Sequence, residues 1–304
     1  ALPRLLTGDN NRLQKVCNSL DKFLDFTGKW DDLLWLNEES EERAIAAGDR
    51  ETAGLRAYLA GWAYSLRNQS NKVLACANRA ADYWSDSTPG KKANAIKLRG
   101  VGHQLNKDYA RAIEAYSESL ELFRSISPTS VSVSVTLTHI ATAKEANKDY
   151  NSAEGDYREA LQIAKISDRQ DGIAAITGNL AGLAFAREQW AEAESLAREA
   201  LALAEKVGQQ ELIASDCHLL AKALFKQNPV DAVGATRPVQ KSALSGNVEA
   251  QENVLSDREG SPLHEALLLS RRAVEIYTRL RHPDLQSAQE TLAEIERALQ
   301  KSER

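Results

Sequence analysis

Three segments of the chain, NKDYARAIEAYSESL, NKDYNSAEGDYREAL and REQWAEAESLAREAL, share a polar joint, an aromatic residue and an alanine three residues further on. The aromatics are Tyr109, Tyr150 and Trp190, spaced 41 and 40 residues apart. A period of this length constrains the fold strongly, because one short unit cannot bury its apolar face alone and must stack on its neighbours. Outward from these segments, TGKWDDLLWLNEESEERA puts Trp30 in the same role, and RNQSNKVLACANRA puts Ser70 there. A sixth unit opens with SDCHLLAKALFKQNPVDA, in which Leu220 and Ala221 match Leu180 and Ala181 at a spacing of 40. Its second half is delayed to SPLHEALLLSRRAVEIYTRL, and DLQSAQETLAEIERALQ closes the array.

Within each unit the apolar residues recur at helical spacing, strand-like alternation is almost absent, and only 7 prolines interrupt the chain. The predicted units cover about 11–48, 51–88, 91–127, 131–168, 171–208 and 211–281, with a last helix at about 284–301, so that 1–304 forms one domain. The helix predicted after Trp190 carries Ala193, Ala197, Ala200 and Ala204, a face of small residues that lets another helix approach closely. Trp30, Tyr109, Tyr116, Tyr150, Tyr157 and Trp190 are expected to wedge into the core.

These residues resemble the tetratricopeptide repeat, a helix-turn-helix unit with a small residue midway along its first helix and aromatic and small residues at set places along its second. Gly100, Tyr109, Ala112 and Tyr116 fill those places in the third unit. Ala141, Tyr150, Ala153, Tyr157 and Ala160 fill them in the fourth, and Ala181, Trp190, Ala193 and Ala200 in the fifth. The first unit departs with Asp21 and Leu33 at small positions, and the second with Val73. The resemblance implies an all-α fold, a right-handed superhelical solenoid of about six units with a C-terminal capping helix. The 40-residue unit is also similar in style to the C-terminal repeat arms of bacterial signal-transducing NTPases of the STAND class, which sense a ligand or protein.

Resemblance to this family further implies that the first helices line a concave face. The side chains it would place there are Tyr58, Gly61 and Tyr64 in the second unit, and Lys97, Val101 and Gln104 in the third. Thr138, His139, Thr142 and Glu145 follow in the fourth, and Gly178, Asn179, Gly182 and Phe185 in the fifth. His218, Lys222 and Phe225 complete the sixth. Tyr64, Phe185 and Phe225 are rigid aromatics of the kind enriched in binding hot spots. Lys97, Asn179, His218 and Lys222 suit a polar backbone or an acidic group, and the groove of the fifth and sixth units is the leading candidate site. Lys97 is followed one turn later by Val101, not Asn, so the carboxylate clamp of chaperone-binding members is not expected.

Between the halves of the sixth unit lies an insertion, Asn228 to Gly260, whose removal would restore a normal joint. Long excursions in compact domains are functional or disordered. A lid or intramolecular ligand over the groove is one reading, and a surface excursion without a role is the other.

Several classes of chemistry find no support. Net charge is −5 and Lys and Arg alternate with Asp and Glu, which offers nucleic acid no basic footprint. TGKW and PGKK lack the leading glycine and hydroxyl residue of a phosphate loop. His103, His139, His218, His264 and His282 show no metal-ligand spacing, and no nucleophile motif occurs. No cofactor, metal or catalysis is therefore expected; a hydrolase without a motif would have to use a groove carboxylate such as Glu145. Cys17, Cys76 and Cys217 are too far apart and odd in number for a disulfide framework, which predicts a reducing, cytoplasmic setting. No apolar run reaches the roughly 20 residues of a membrane span. A chain that starts at Ala1 and contains no Met is expected to be a piece of something larger.

The functional expectation is a non-catalytic scaffold that holds a protein or peptide, or another domain of the parent polypeptide, in its concave face. The alternative is a ligand-sensing regulatory arm of a larger STAND-type NTPase.

Overall fold

The computed structural model describes residues 10–27, 29–228 and 261–302, so the insertion beyond Asn228, with the lid reading, lies outside the described residues. Among them are thirteen helices and no strand. In chain order these are α1 (Asn10–Phe26), α2 (Trp30–Ala46), α3 (Arg50–Ser65), α4 (Ser70–Tyr83), α5 (Pro89–Leu105), α6 (Tyr109–Ile126) and α7 (Val131–Ala146). There follow α8 (Tyr150–Ile166), α9 (Gln170–Ala186), α10 (Trp190–Val207), α11 (Gln210–Gln227), α12 (Pro262–Leu280) and α13 (Leu285–Ser302). No helix among the described residues is long and apolar enough to cross a membrane.

The polar joints explain where these helices stop and start. A residue in the left-handed region closes several of them: Gly48 and Gly208, but also Asn68, Lys107, Lys148 and Glu188. The next N–H then reaches back five residues, Asp49 to the Ala44 carbonyl at 2.9 Å, Asp108 to His103 at 3.0 Å and Asp149 to Lys144 at 2.9 Å. This is the Schellman arrangement, which satisfies a carbonyl orphaned at the helix end. The same three aspartates accept from Thr52, Arg111 and Ser152 and so cap the following helices. One short joint thus ends one helix and nucleates the next, which makes the helix-turn-helix unit local in origin.

The chain divides into two compact units, Ala1–Asp168 and Arg169–Arg304. In the first, α1 to α8 pack each against the next, and the first helices of successive pairs, α3, α5 and α7, also touch one another. Tyr116 and Tyr157, the second aromatics of their pairs, are completely buried, with Ala112 and Ala153 beside the joints. Trp30, Tyr109 and Tyr150 are only partly buried, because each opens its helix at the rim of the stack. At the N-terminal end of this unit Arg56 is wholly buried, and its guanidinium bonds to Gln14, Asn18, Asp21 and Asn37.

In the second unit α9 packs on α10 and on α11, and α11 packs on α12. Ala193, Ala197, Ala200 and Ala204 on α10 are all fully buried, which gives the small-residue face its reason. Helix α13 contacts both α12 and α11, so it covers the open face that a further first helix would otherwise cover.

Candidate functional site

Neighbouring helices of unit 1 approach closely where two glycines stand in place of side chains that would clash. A Cβ on Gly61 of α3 would lie 2.5 Å from Leu98 Cδ2 of α5. On Gly100 of α5 it would lie 2.5 Å from Cε1 of Tyr116, the buried ring contributed by α6. Tyr116 therefore rides tightly on α5, and the His139 imidazole of α7 stacks on its ring at 5.2 Å and 17°. The same imidazole lies 5.7 Å from the ring of Trp62 on α3. Trp62 and His139 meet from the two helices that flank α5, and both stay partly accessible.

Lys97 of α5 is near enough for its charge to act on His139. Only 6% of it is exposed, and no carboxylate among the described residues pairs with its ammonium. Its one marked contact is the face of Phe123, 5.5 Å away. Burial pushes the ammonium down to about 8. Burial, aided by the nearby Lys97 charge, pushes His139 down to about 3, so the imidazole is neutral at physiological pH.

Two further candidates are oriented by the consensus tyrosines. Tyr116 donates its hydroxyl to Gln104 Oε1 at 2.9 Å, and Tyr157 donates to Glu145 Oε2 at 2.9 Å. Burial holds the Glu145 carboxyl above its ordinary range, although the Tyr157 bond opposes that. Gln104 and Glu145 occupy the same place in successive units, so the repeat supplies both the acceptor and its donor. Tyr64 is spent inside the fold: it is 8% exposed, its hydroxyl donates to Glu38, and Lys72 lies 4.7 Å over its ring.

In unit 2 the candidates engage one another or the core. Phe185 packs edge-on to Trp190 at 4.8 Å and carries the Lys222 ammonium 4.8 Å over its ring. Phe225 packs against the cluster built by Ala197, Leu220 and Leu224. His218 is bonded through Nε2 to Thr291 of α13 at 3.0 Å, and burial pushes it down to about 4. Asn179 and Gly182 are partly accessible on α9. Among the described residues no three His, Cys, Asp or Glu side chains are placed to hold a metal ion.

Trp62 is a partly accessible ring contact of His139 that repeat register alone does not select. Its position directly after the small residue Gly61 is the signal that marks it.

Because Tyr116 is rigid and fully buried, Gly100→Ala is expected to overpack this contact and cost about 1–3 kcal/mol. It should also shift the ring current felt by His139. Thermal unfolding and the His139 ring proton shifts check both, and an unchanged melting temperature with unchanged shifts would refute the packing described here.

Residues 93–166 and 173–207 match tetratricopeptide-repeat family models. These segments are tetratricopeptide repeats. No curated protein matches the sequence at a significant level. Among solved structures, a Rap protein complexed with competence and sporulation factor is 12% identical, with 96% of this chain and 77% of that chain covered and a TM-score of 0.63. Aspartyl phosphate phosphatase F from Bacillus subtilis is also 12% identical, with 96% and 71% covered and a TM-score of 0.60. A STAND protein with a tetratricopeptide repeat sensor from Pyrococcus horikoshii is 11% identical at a TM-score of 0.53, and 96% of this chain spans 44% of it. At these identities the likeness is one of fold, that of a tetratricopeptide solenoid.

Proposed function

We propose that the chain is a non-catalytic binding module that holds a peptide or protein segment against its first helices. The observation that carries this reading lies on the first helices of unit 1, where the partly accessible rings of Trp62 and His139 meet and the charge of Lys97, which has no carboxylate partner among the described residues, acts on His139. Buried polar groups are as a rule satisfied, and an unmet one beside accessible aromatics suits an incoming partner. The Rap structure was solved with a bound factor, which agrees with a binding role for such a fold.

A second reading, a sensory arm that relays binding to an attached NTPase, is supported by the likeness to the STAND protein with its repeat sensor. A phosphate-loop domain elsewhere in the parent polypeptide would favour it.

The test is capture from native extract with the intact chain beside a Trp62→Ala control of equal helicity and melting temperature. A protein retained by the intact chain and lost at least about tenfold by the control is the expected result. Equal retention by both would remove the inner face as the binding surface.

A further inference from the structure

We infer that the first half of α7 is held helical by its neighbours against its own preference, and that on opening it pairs as a β-strand with the same segment of a second copy of this chain. From Val131 to Thr138 the sequence reads VSVSVTLT, a strict alternation of apolar and hydroxyl residues. Extended, this run would place Val131, Val133, Val135 and Leu137 on one face and Ser132, Ser134, Thr136 and Thr138 on the other. Valine and threonine favour strands and are poor helix formers, because two heavy atoms on Cβ restrict χ1 against the preceding turn.

The helix imposes a different period, and the mismatch shows in what it buries. Val133, Leu137 and Ile140 face inward, but so do Ser134 and Thr136, while 39% of Val135 is exposed. Each inward hydroxyl needs an acceptor: Ser134 donates to the Ala160 carbonyl of α8 at 2.8 Å, and Thr136 to the Ser132 carbonyl one turn back at 2.7 Å. Local support at the start of α7 is weak. Ser130 holds the cap position without a side-chain cap bond among the described residues, and the first turn carries no acidic residue. The start of α8, by contrast, is capped by Asp149. The second half of α7 is tied to α8, with Lys144 donating to Asp156 at 2.6 Å and Tyr157 donating to Glu145 at 2.9 Å. Packing, not local preference, thus keeps the first half helical, and opening starts at Val131 and stops short of these ties.

From Thr129 to Ala143 the chain contains no Pro, Gly, Lys, Arg, Asp or Glu. A segment of this kind, once exposed, lacks the charges and breakers that keep like strands from pairing. Side by side, two copies set valine beside valine on one face and hydroxyl beside hydroxyl on the other. Self-association by this route is independent of what the first helices bind.

Hydrogen exchange of the full chain, read by mass spectrometry, tests the opening, and incubation just below the melting temperature tests the pairing. Amides of residues 131–138 are expected to exchange at least about tenfold faster than those of α8. Incubation should produce assemblies with the infrared band of intermolecular strands, at a rate lowered roughly tenfold or more in Val135→Lys, which puts a charge into the strand. Val135→Ala, which favours the helix without adding charge, should slow both opening and assembly. Ile166→Lys removes a more exposed aliphatic, 71% accessible and outside the segment, and should leave the rate within about twofold of the parent. Equal exchange through α7 and α8 would overturn the inference. So would a chain that stays monomeric on heating, or one slowed equally by Ile166→Lys and Val135→Lys.

Discussion

Arg56→Met is expected to destabilise unit 1 by about 3–5 kcal/mol, the cost of stripping one partner from a buried charge network. Every N–H of the guanidinium is used. Nε donates to Gln14 Oε1 at 2.7 Å, one terminal nitrogen to Asp21 at 2.7 Å and Asn37 at 3.3 Å, and the other to the Gln14 carbonyl at 3.1 Å and to Asn18. Asn37 in turn donates to the other oxygen of Asp21 at 3.0 Å. This network ties α1, α2 and α3 together at the end of the array where the repeat pattern is weakest, with Asp21 standing at a position the repeat fills with a small residue. Asp21 side-chain exposure is 14%, so removing the arginine leaves its carboxylate largely dehydrated and unpaired.

Arg56→Lys should recover little, because an ammonium has three donors and no planar fork. Pairing Arg56→Met with Asp21→Asn should recover part of the loss, since the stranded charge is gone. Urea unfolding followed through tryptophan fluorescence measures all three, and four of the five tryptophans, Trp30, Trp35, Trp62 and Trp84, lie in this unit. A loss below about 1 kcal/mol for Arg56→Met would show that the network contributes nothing beyond what packing supplies.

Asp216 on α11 is the opposite case, a buried acid that the fold leaves unsatisfied. It is 3% exposed, and its Oδ2 has no hydrogen-bond partner among the described residues. Its Oδ1 occupies the space that a Cβ on Gly178 would take, 2.6 Å from that position. Burial pushes the carboxyl from its ordinary 3.8 up to about 7. Below pH about 4 both folded and unfolded chains keep this proton, and the group has no effect on stability. Between about 4 and 7 the unfolded chain releases it while the folded chain retains it, so stability falls as pH rises. Above about 7 the penalty is constant.

A carboxyl raised that far is worth roughly 4 kcal/mol at most. Asp216→Asn removes the titration, so unit 2 should be stabilised by about 2–4 kcal/mol at pH 8 and almost unchanged at pH 4. Melting temperatures of parent and variant across pH 4 to 8 check this. Parallel curves would mean that Asp216 is ionised and solvated in the folded chain.

Much of the architecture is legible in residue order. The aromatic-to-alanine spacing of three, repeated at 41 and 40 residues, places the all-helical stack, and the Asp108 and Asp149 joints stop and restart helices through hydrogen bonds that span only a few residues. The candidate side chains are harder to read. Register selects Lys97, Gln104, His139 and Glu145, yet register says which helix face a residue occupies and not what meets it there. By sequence Phe185 and Phe225 are free anchors, whereas in the structure the first is covered by Lys222 and the second packs on the core. His218, expected in a groove, receives Thr291 from the capping helix.

The repeat, its joints and its small-residue contacts can thus be read from residue order, because they depend on local backbone bonding and on a period that any neighbour must match. Which polar groups are satisfied emerges from packing between helices. Arg56 finds five acceptors on two other helices, Asp216 finds none for one oxygen, and Lys97 meets the Phe123 ring and no carboxylate among the described residues. Charge compensation in a low-dielectric interior depends on distances of a few ångströms between residues far apart in the chain, and no local pattern encodes those distances.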